Sequence, residues 1–225
     1  MNSLKQSIIK SIIGLGLFAI VTSGLIATTQ VLTKETIEKQ IKKAQSKALA
    51  QIVSLEEHDN DLLSDPVTLD AGGLLNLPQG KQAYIARMNN NPIAVILPVV
   101  AENGYSGPIN MIVGIDPLGN VKGVRVISHK ETPGLGDKID IKKSDWISQF
   151  EGTSLNNPKS TQWKVKKDGG DFDQLTGATI TPRAVVSGVQ DALLFFQNNK
   201  QSLFKATNNV APINTVPIKG ETNGH

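Results

Sequence analysis

The chain has 225 residues, with 23 Lys and Arg against 20 Asp and Glu, three His and no Cys. Without a thiol there is no protein-ligated iron–sulfur cluster, no thiol catalysis, no disulfide and no lipoprotein anchor cysteine. A net charge of +3 from scattered lysines, with 4% aromatic residues, gives neither a basic stripe nor a base-stacking platform, so no nucleic-acid partner is expected.

His58, His129 and His225 are too dispersed for a zinc motif, and no metal site is expected. The length suits one membrane segment plus one compact domain. Residues 11–29, SIIGLGLFAIVTSGLIATT, carry no charge, and a run of that length at about 1.5 Å per residue nearly crosses a hydrocarbon core roughly 30 Å thick. The run exceeds a signal-peptide core and no small-x-small site comes after it, so an uncleaved transmembrane helix is expected. Gly14, Gly16 and Gly24 are compatible with close packing on a partner helix in lipid.

Lys5 and Lys10 on one side, and Lys34, Lys39, Lys42 and Lys43 diluted by Glu35 and Glu38 on the other, leave the positive-inside count even. A short tail, 1–10, before a large domain fits a signal-anchor that keeps the tail cytoplasmic and exports the domain. Residues 34–57 read as a helical stalk with Ile37, Ile41, Ala44, Ala48, Ile52 and Leu55 at steps of three and four. Residues 58–82, rich in Asp, Pro, Gly and Leu, read as irregular connection with room for one short strand. Stalk and connection together take 30–81.

Strand signals cluster next. Residues 82–87 lead through the NNNP turn at 89–92 into the apolar run IAVILPVVA, followed by the loop ENGYSGP. INMIVGID and VKGVRVISH flank DPLGN, a hairpin punctuated by Pro117 and Gly119. Short consecutive strands with helices gathered later predict an α+β domain over 82–205 with a twisted, mainly antiparallel sheet and flanking helices. No GxGxxG follows a strand, so no nicotinamide site is expected.

The hairpin ends in HKETPGLGDKI at 129–139, a backbone-exposed loop in which Glu131 and Thr132 bring hydrogen-bonding side chains. In SDWISQFEG, Ser144 reads as an N-cap and Trp146, Ile147 and Phe150 share one helical face. Residues 161–166 form a short strand candidate before the approach KDGGDFDQ. Lys164, Lys166 and Lys167 read as a solvated face, with an anion partner as the second reading.

Residues 173–181, DQLTGATIT, run into PRAVVSGVQDALLFF. Pro182 at the first helical position and Thr181 as N-cap predict a helix over 182–198 that buries Val185, Val186, Val189, Ala192, Leu193 and Phe196. The helix start offers free N–H groups and positive dipole to an anion near Thr179. Gly177 permits positive φ, Ala178 leaves room beside a phosphate, and the Thr179 hydroxyl is a simple oxygen nucleophile. Arg183 opposes the dipole and reads as exposed, with a bridge to phosphate as the alternative. By themselves the four residues TGAT are an ordinary capped turn. From residue 206 to 225 the tail lacks periodicity and reads as disordered.

Asp173, Thr176, Gly177, Ala178 and Thr179 match without a gap a flavinylation motif of the form Asp, two free residues, Ser or Thr, Gly, Ala, Thr. The motif resembles that of the FMN-binding domain shared by the G subunit of the Rnf-type electron transport complex and the C subunit of the sodium-pumping NADH:quinone reductase. The ETPGLG loop at 131–136 and GYSG at 104–107 are similar to two further loops of that family.

The resemblance covers about 82–198 plus the anchor. It implies covalent FMN on Thr179, placed there from FAD by a flavin transferase, with Asp173 as a metal or hydroxyl partner during attachment. It also implies ring and ribityl contacts from Glu131, Thr132, Gly134, Leu135 and Gly136, with Tyr105 and Ser106 ranked below them. Trp146 reads as core, with stacking on the flavin ring second.

The implied protein is an electron carrier rather than a stand-alone enzyme, and no catalytic acid–base set is seen. It is expected as a single-pass protein of a bacterial inner membrane, in contact with lipid. Its FMN domain would lie on the periplasmic side, among other membrane and peripheral subunits that couple electron transfer to ion movement. The Rnf-type G subunit is preferred because its quinone-reductase counterpart usually carries longer insertions than 225 residues permit. A membrane-anchored binding or assembly module that never receives flavin is the rival from another class.

Overall fold

The computed structural model describes the backbone of residues 2–64 and 66–205; at 1–9, 11, 35, 37, 38, 41, 42 and 44 the side chains are outside the description. The tail 206–225, which by composition reads as disordered, lies outside the described residues, as do the side chains of Ile37, Ile41 and Ala44. The chain divides into two compact units, 1–45 and 46–225.

A single helix, α1, spans Asn2–Ala50. Its segment Ile12–Lys34 is 23 residues long with mean hydropathy 2.0, which at about 1.5 Å per residue is long enough and apolar enough to cross a bilayer. Threonine hydroxyls in this stretch bond back inside the helix: Thr22 donates to the Phe18 carbonyl at 2.8 Å, Thr28 to Gly24 at 2.7 Å and Thr29 to Leu25 at 2.8 Å. Such back-bonding removes the cost of a free hydroxyl in an apolar medium.

The domain from residue 46 is α+β. Five strands, β1 (Pro66–Thr68), β2 (Gln82–Met88), β3 (Asn91–Ala101), β4 (Ile109–Ile115) and β5 (Val121–Ser128), form one antiparallel sheet in sequence order. β2 and β3 are joined by Asn89 and Asn90 at φ 50° and 63°, the positive-φ pair that a two-residue type I′ hairpin requires and asparagine tolerates. In DPLGN, Asp116 accepts the Leu118 and Asn120 N–H groups at 2.8 and 2.9 Å.

The unbroken apolar run of β3 reflects burial on both sides. Val95, Leu97 and Val99 enter one core with α2, the final helix at Ile180–Lys205, whereas Ala94 and Ile96 enter a second core with Leu49, Ile52, Val53 and Leu62. A strand covered on one face only would alternate. On the first face Gly188 brings α2 close to Val99, Ala101 and Met111.

The second face shows why the stalk helix stops at Ala50 rather than 57. Ile52 leaves the helix to fill a hollow made by Gly114 and Gly123, which are partners across β4 and β5. Arg125 donates to the Gln51 carbonyl at 3.1 Å, and Lys122 pairs with Glu57 at 3.1 Å. Leu55, read as part of the apolar helical face, is 75% exposed. A Cβ at Gly114 would lie 2.1 Å from Ile52 Cγ2, so Gly114→Ala is expected to destabilise by about 1–3 kcal/mol through overpacking. The check is a lowered urea midpoint at unchanged slope.

The connection over 58–64 is stitched to β2: the Asn60 side chain donates to the Ile85 carbonyl at 2.9 Å and accepts the Arg87 N–H at 2.7 Å. The strand expected at 161–166 is instead a 3-10 turn, Ser160–Gln162, followed by an isolated parallel bridge between Val165 and Phe172. Trp146–Phe150 is likewise a 3-10 turn, in which Ser144 Oγ accepts the Trp146 N–H at 3.1 Å.

Candidate functional site

Residues 175–178 make the tight turn that the motif demands. The Ala178 N–H donates to the Leu175 carbonyl at 3.1 Å, and Gly177 sits at φ +81°, a conformation that would strain any residue with a Cβ. Thr179 follows, and α2 begins at Ile180. The helix therefore starts two residues earlier than Pro182. Thr179, not Thr181, precedes the first helical residue, and Pro182 still lies in the first turn, where its missing N–H costs no intrahelical bond.

Three segments converge on this turn. The 131–136 loop winds around the Thr132 carbonyl, which accepts the N–H groups of Leu135, Gly136 and Asp137 at 3.1 to 3.3 Å. Leu135 lies over Gly177, where an added Cβ would approach Leu135 Cδ2 to 2.7 Å. Glu131 is 3% exposed and ties the segments together: Oε1 accepts the Ser106 N–H at 2.9 Å, and Oε2 accepts the Thr181 hydroxyl.

Between them is a partly open cavity of about 300 Å³ lined by Tyr105, Glu131, Thr132, Leu135, Gly136, Gly177, Ala178, Thr179, Ile180 and Thr181. That volume is at the low end of small-molecule sites, roughly 300–1,000 Å³. The glycine and alanine floor, the exposed Thr179 and the apolar rim of Tyr105, Leu135 and Ile180 suit a planar group with a polar attachment end.

The other motif residues lie near the cavity without lining it. Thr176 is exposed at the turn corner, Gly134 sets its own turn at φ 78°, and Ser106 contributes its N–H to Glu131. Asp173 faces solvent and pairs with Lys166 at 2.5 Å, while its carbonyl accepts the Trp146 indole N–H at 2.8 Å. Trp146 is core: it is 8% exposed, meets Phe150 edge-on at 5.7 Å and fixes the start of the motif through that indole bond.

Arg183 is partly exposed and occupied. It forks onto Asp168 at 2.5 and 2.8 Å and donates to the Thr179 carbonyl at 3.1 Å. The fork holds the Asp168 carboxyl below its usual range. A depressed carboxyl stabilises the fold above its unfolded pKa of about 3.9, and that contribution is lost as pH falls through the lower folded value. Carbon NMR is expected to show Asp168 titrating below about 3.9, and Arg183→Ala to return it toward that value. The guanidinium thus has its own carboxylate partner and does not line the cavity.

Local patterns missed Ile180 as a lining residue and Thr181 as the partner of Glu131, 50 positions away. The displaced helix start concealed both.

The chain matches the FMN-binding domain model over residues 104–194 and the RnfG N-terminal region model over 1–52. It is 45% identical over 203 residues to the G subunit of the ion-translocating oxidoreductase complex of Shewanella piezotolerans, covering 90% of this chain and 96% of that protein. It is 46% identical to the protein of that name in Vibrio vulnificus and 44% identical to that of Pseudomonas aeruginosa, each over 88% of this chain and 93% of the relative. With nearly the whole length of these relatives covered and the FMN-binding match laid over the cavity, this chain belongs to the family of G subunits of ion-translocating oxidoreductase complexes.

Proposed function

We propose that the chain is a membrane-anchored electron carrier with FMN joined by a phosphoester to Thr179, acting among other membrane and peripheral subunits of a complex that couples electron transfer to ion translocation. The observation that carries this reading is an exposed threonine at the wall of a cavity, directly before a helix, inside a domain that matches FMN-binding proteins.

Thr179 supplies the oxygen that displaces AMP from the FMN phosphorus of FAD, giving up its hydroxyl proton, in a reaction run by a separate flavin transferase. The choice among nearby threonines follows from placement. Thr181 is 1% exposed with its hydroxyl donated to Glu131, and Thr176 is outside the cavity wall. Thr179 alone of the three combines exposure with a place on the wall.

Gly177 and Gly136 let backbone approach the bound group closely, Thr132 offers a hydroxyl, and Tyr105, Leu135 and Ile180 shield its apolar part. Bound FMN would supply one- and two-electron chemistry to a chain that has no thiol of its own. We assign Ile12–Lys34 as a single span in contact with lipid in a bacterial inner membrane, with 82–205 as the FMN domain on its periplasmic side.

The rival reading is an anchored module that never carries flavin. Protein purified from cells containing the transferase, denatured and run on a gel, is expected to keep flavin fluorescence at 24.1 kDa. A dark band would favour the module.

A further inference from the structure

The described part of the domain buries two charged side chains, Glu131 at 3% and Asp137 at 7% exposure. Asp137 has the Lys143 ammonium 3.9 Å away and is not on the cavity wall. Glu131 is on the wall. Among the described residues no lysine, arginine or histidine forms an ion pair with it; its oxygens meet only the Ser106 N–H and the Thr181 hydroxyl.

Space for this carboxylate is reserved on both sides. A Cβ at Gly104 would fall 3.0 Å from Oε1, and one at Gly136 would fall 3.1 Å from Oε2. Oε2 takes its hydrogen bond from Thr181 in the first turn of α2, the end of a helix that favours negative charge. A clasp of neutral groups could join these segments; a buried carboxylate without a cation is a costly alternative.

We infer that Glu131 is the residue whose fixed negative charge sets the reduction potential of a flavin held in this cavity, lowering it, in addition to joining the loop at 106 to the start of α2. The inference rests on the flavin reading of Thr179. Its physics is that reduction adds electron density beside a charge that is poorly screened because it is buried, so the oxidised form is favoured. The electrons come from the partner subunits, and Glu131 neither gains nor loses any.

The test uses full-length protein loaded in cells that contain the transferase. Glu131→Gln keeps size and acceptor oxygen and removes the charge. Thr181→Val cuts one arm of the clasp and keeps the charge. Three readouts are taken: covalent flavin by gel fluorescence, midpoint potential by spectroelectrochemistry, and melting temperature.

Glu131→Gln is expected to load flavin and to raise the potential by a tenfold change or more in the reduction equilibrium, about 30 mV for a two-electron couple. Thr181→Val is expected to lower the melting temperature with a much smaller change in potential. An unmoved potential in loaded Glu131→Gln, or equal shifts in both variants, overturns the inference while leaving the flavin reading standing. Failure of Glu131→Gln to load while Thr181→Val loads assigns the carboxylate to attachment and also overturns it. Wild-type protein without flavin overturns the flavin reading and this inference with it.

Discussion

Thr179→Ala is expected to give a folded protein with no covalent flavin, read as complete loss of fluorescence from the 24.1 kDa band. The side chain is exposed, so its removal should change stability by no more than about 0.5 kcal/mol, and an unchanged melting curve checks that the loss is chemical. No neighbour can take over. Thr181 is buried with its hydroxyl occupied, and Thr176 stands on the far side of the Gly177 turn. Thr176→Ser is expected to load normally, since the motif admits either residue there and the position lies outside the cavity wall.

Phe150→Ala is expected to cause the largest loss of stability, about 3–5 kcal/mol by the usual cost of emptying a buried aromatic site. Domains of this kind are held by only about 5–15 kcal/mol. Phe150 is fully buried and stacks on Phe172 at 4.8 Å, faces Trp163 at 6.3 Å and meets Trp146 edge-on at 5.7 Å.

The effect should reach the site, because two members of this cluster hold the approach to the motif. Phe172 precedes Asp173 directly, and Trp146 binds the Asp173 carbonyl. Loading is therefore expected to fall along with the denaturation midpoint. Phe150→Leu, which refills most of the volume, should recover both in large part.

Much of the architecture is legible in the sequence because it is written in short-range signals. The Asn89–Asn90 and DPLGN turns, the short β-branched run VKGVRV beside its hairpin turn, and the 3.6-residue stripe from Val185 to Phe196 each depend on neighbours within one turn or hairpin. The second apolar core is not legible. Its seam joins Ile52 to Gly114 and Gly123, and nothing near residue 52 shows that a hollow waits on the sheet, so the stalk pattern runs on past Ala50.

The helix start is misplaced by local rules for a different reason. Thr179 and Thr181 carry the same capping chemistry, and proline is tolerated through the first turn, so those rules cannot choose between them. The burial of Thr181 against Glu131 decides it. Residues 161–166 have strand-like composition but join no strand of the sheet: Val165 bridges to Phe172, and the start of the β5 edge is met by the 152–153 backbone, with the Val121 N–H donating to the Thr153 carbonyl at 2.8 Å.

The motif residues themselves are visible as a set, and the fold divides them by task. Thr179, Gly177 and Ala178 line the cavity, Thr176 belongs to the turn that presents them, and Asp173 to the approach before that turn. Arg183 reads as exposed from its place in the first helical turn, and its partner is Asp168.

We hold that one hydroxyl, that of Thr179, carries the flavin. Peptide mass spectrometry of protein from transferase-containing cells tests it most directly. The peptide spanning 168–183 is expected to be heavier by FMN less one water, with fragment ions placing that mass on Thr179. An unmodified peptide, or the same mass on Thr176 or Thr181, would contradict it.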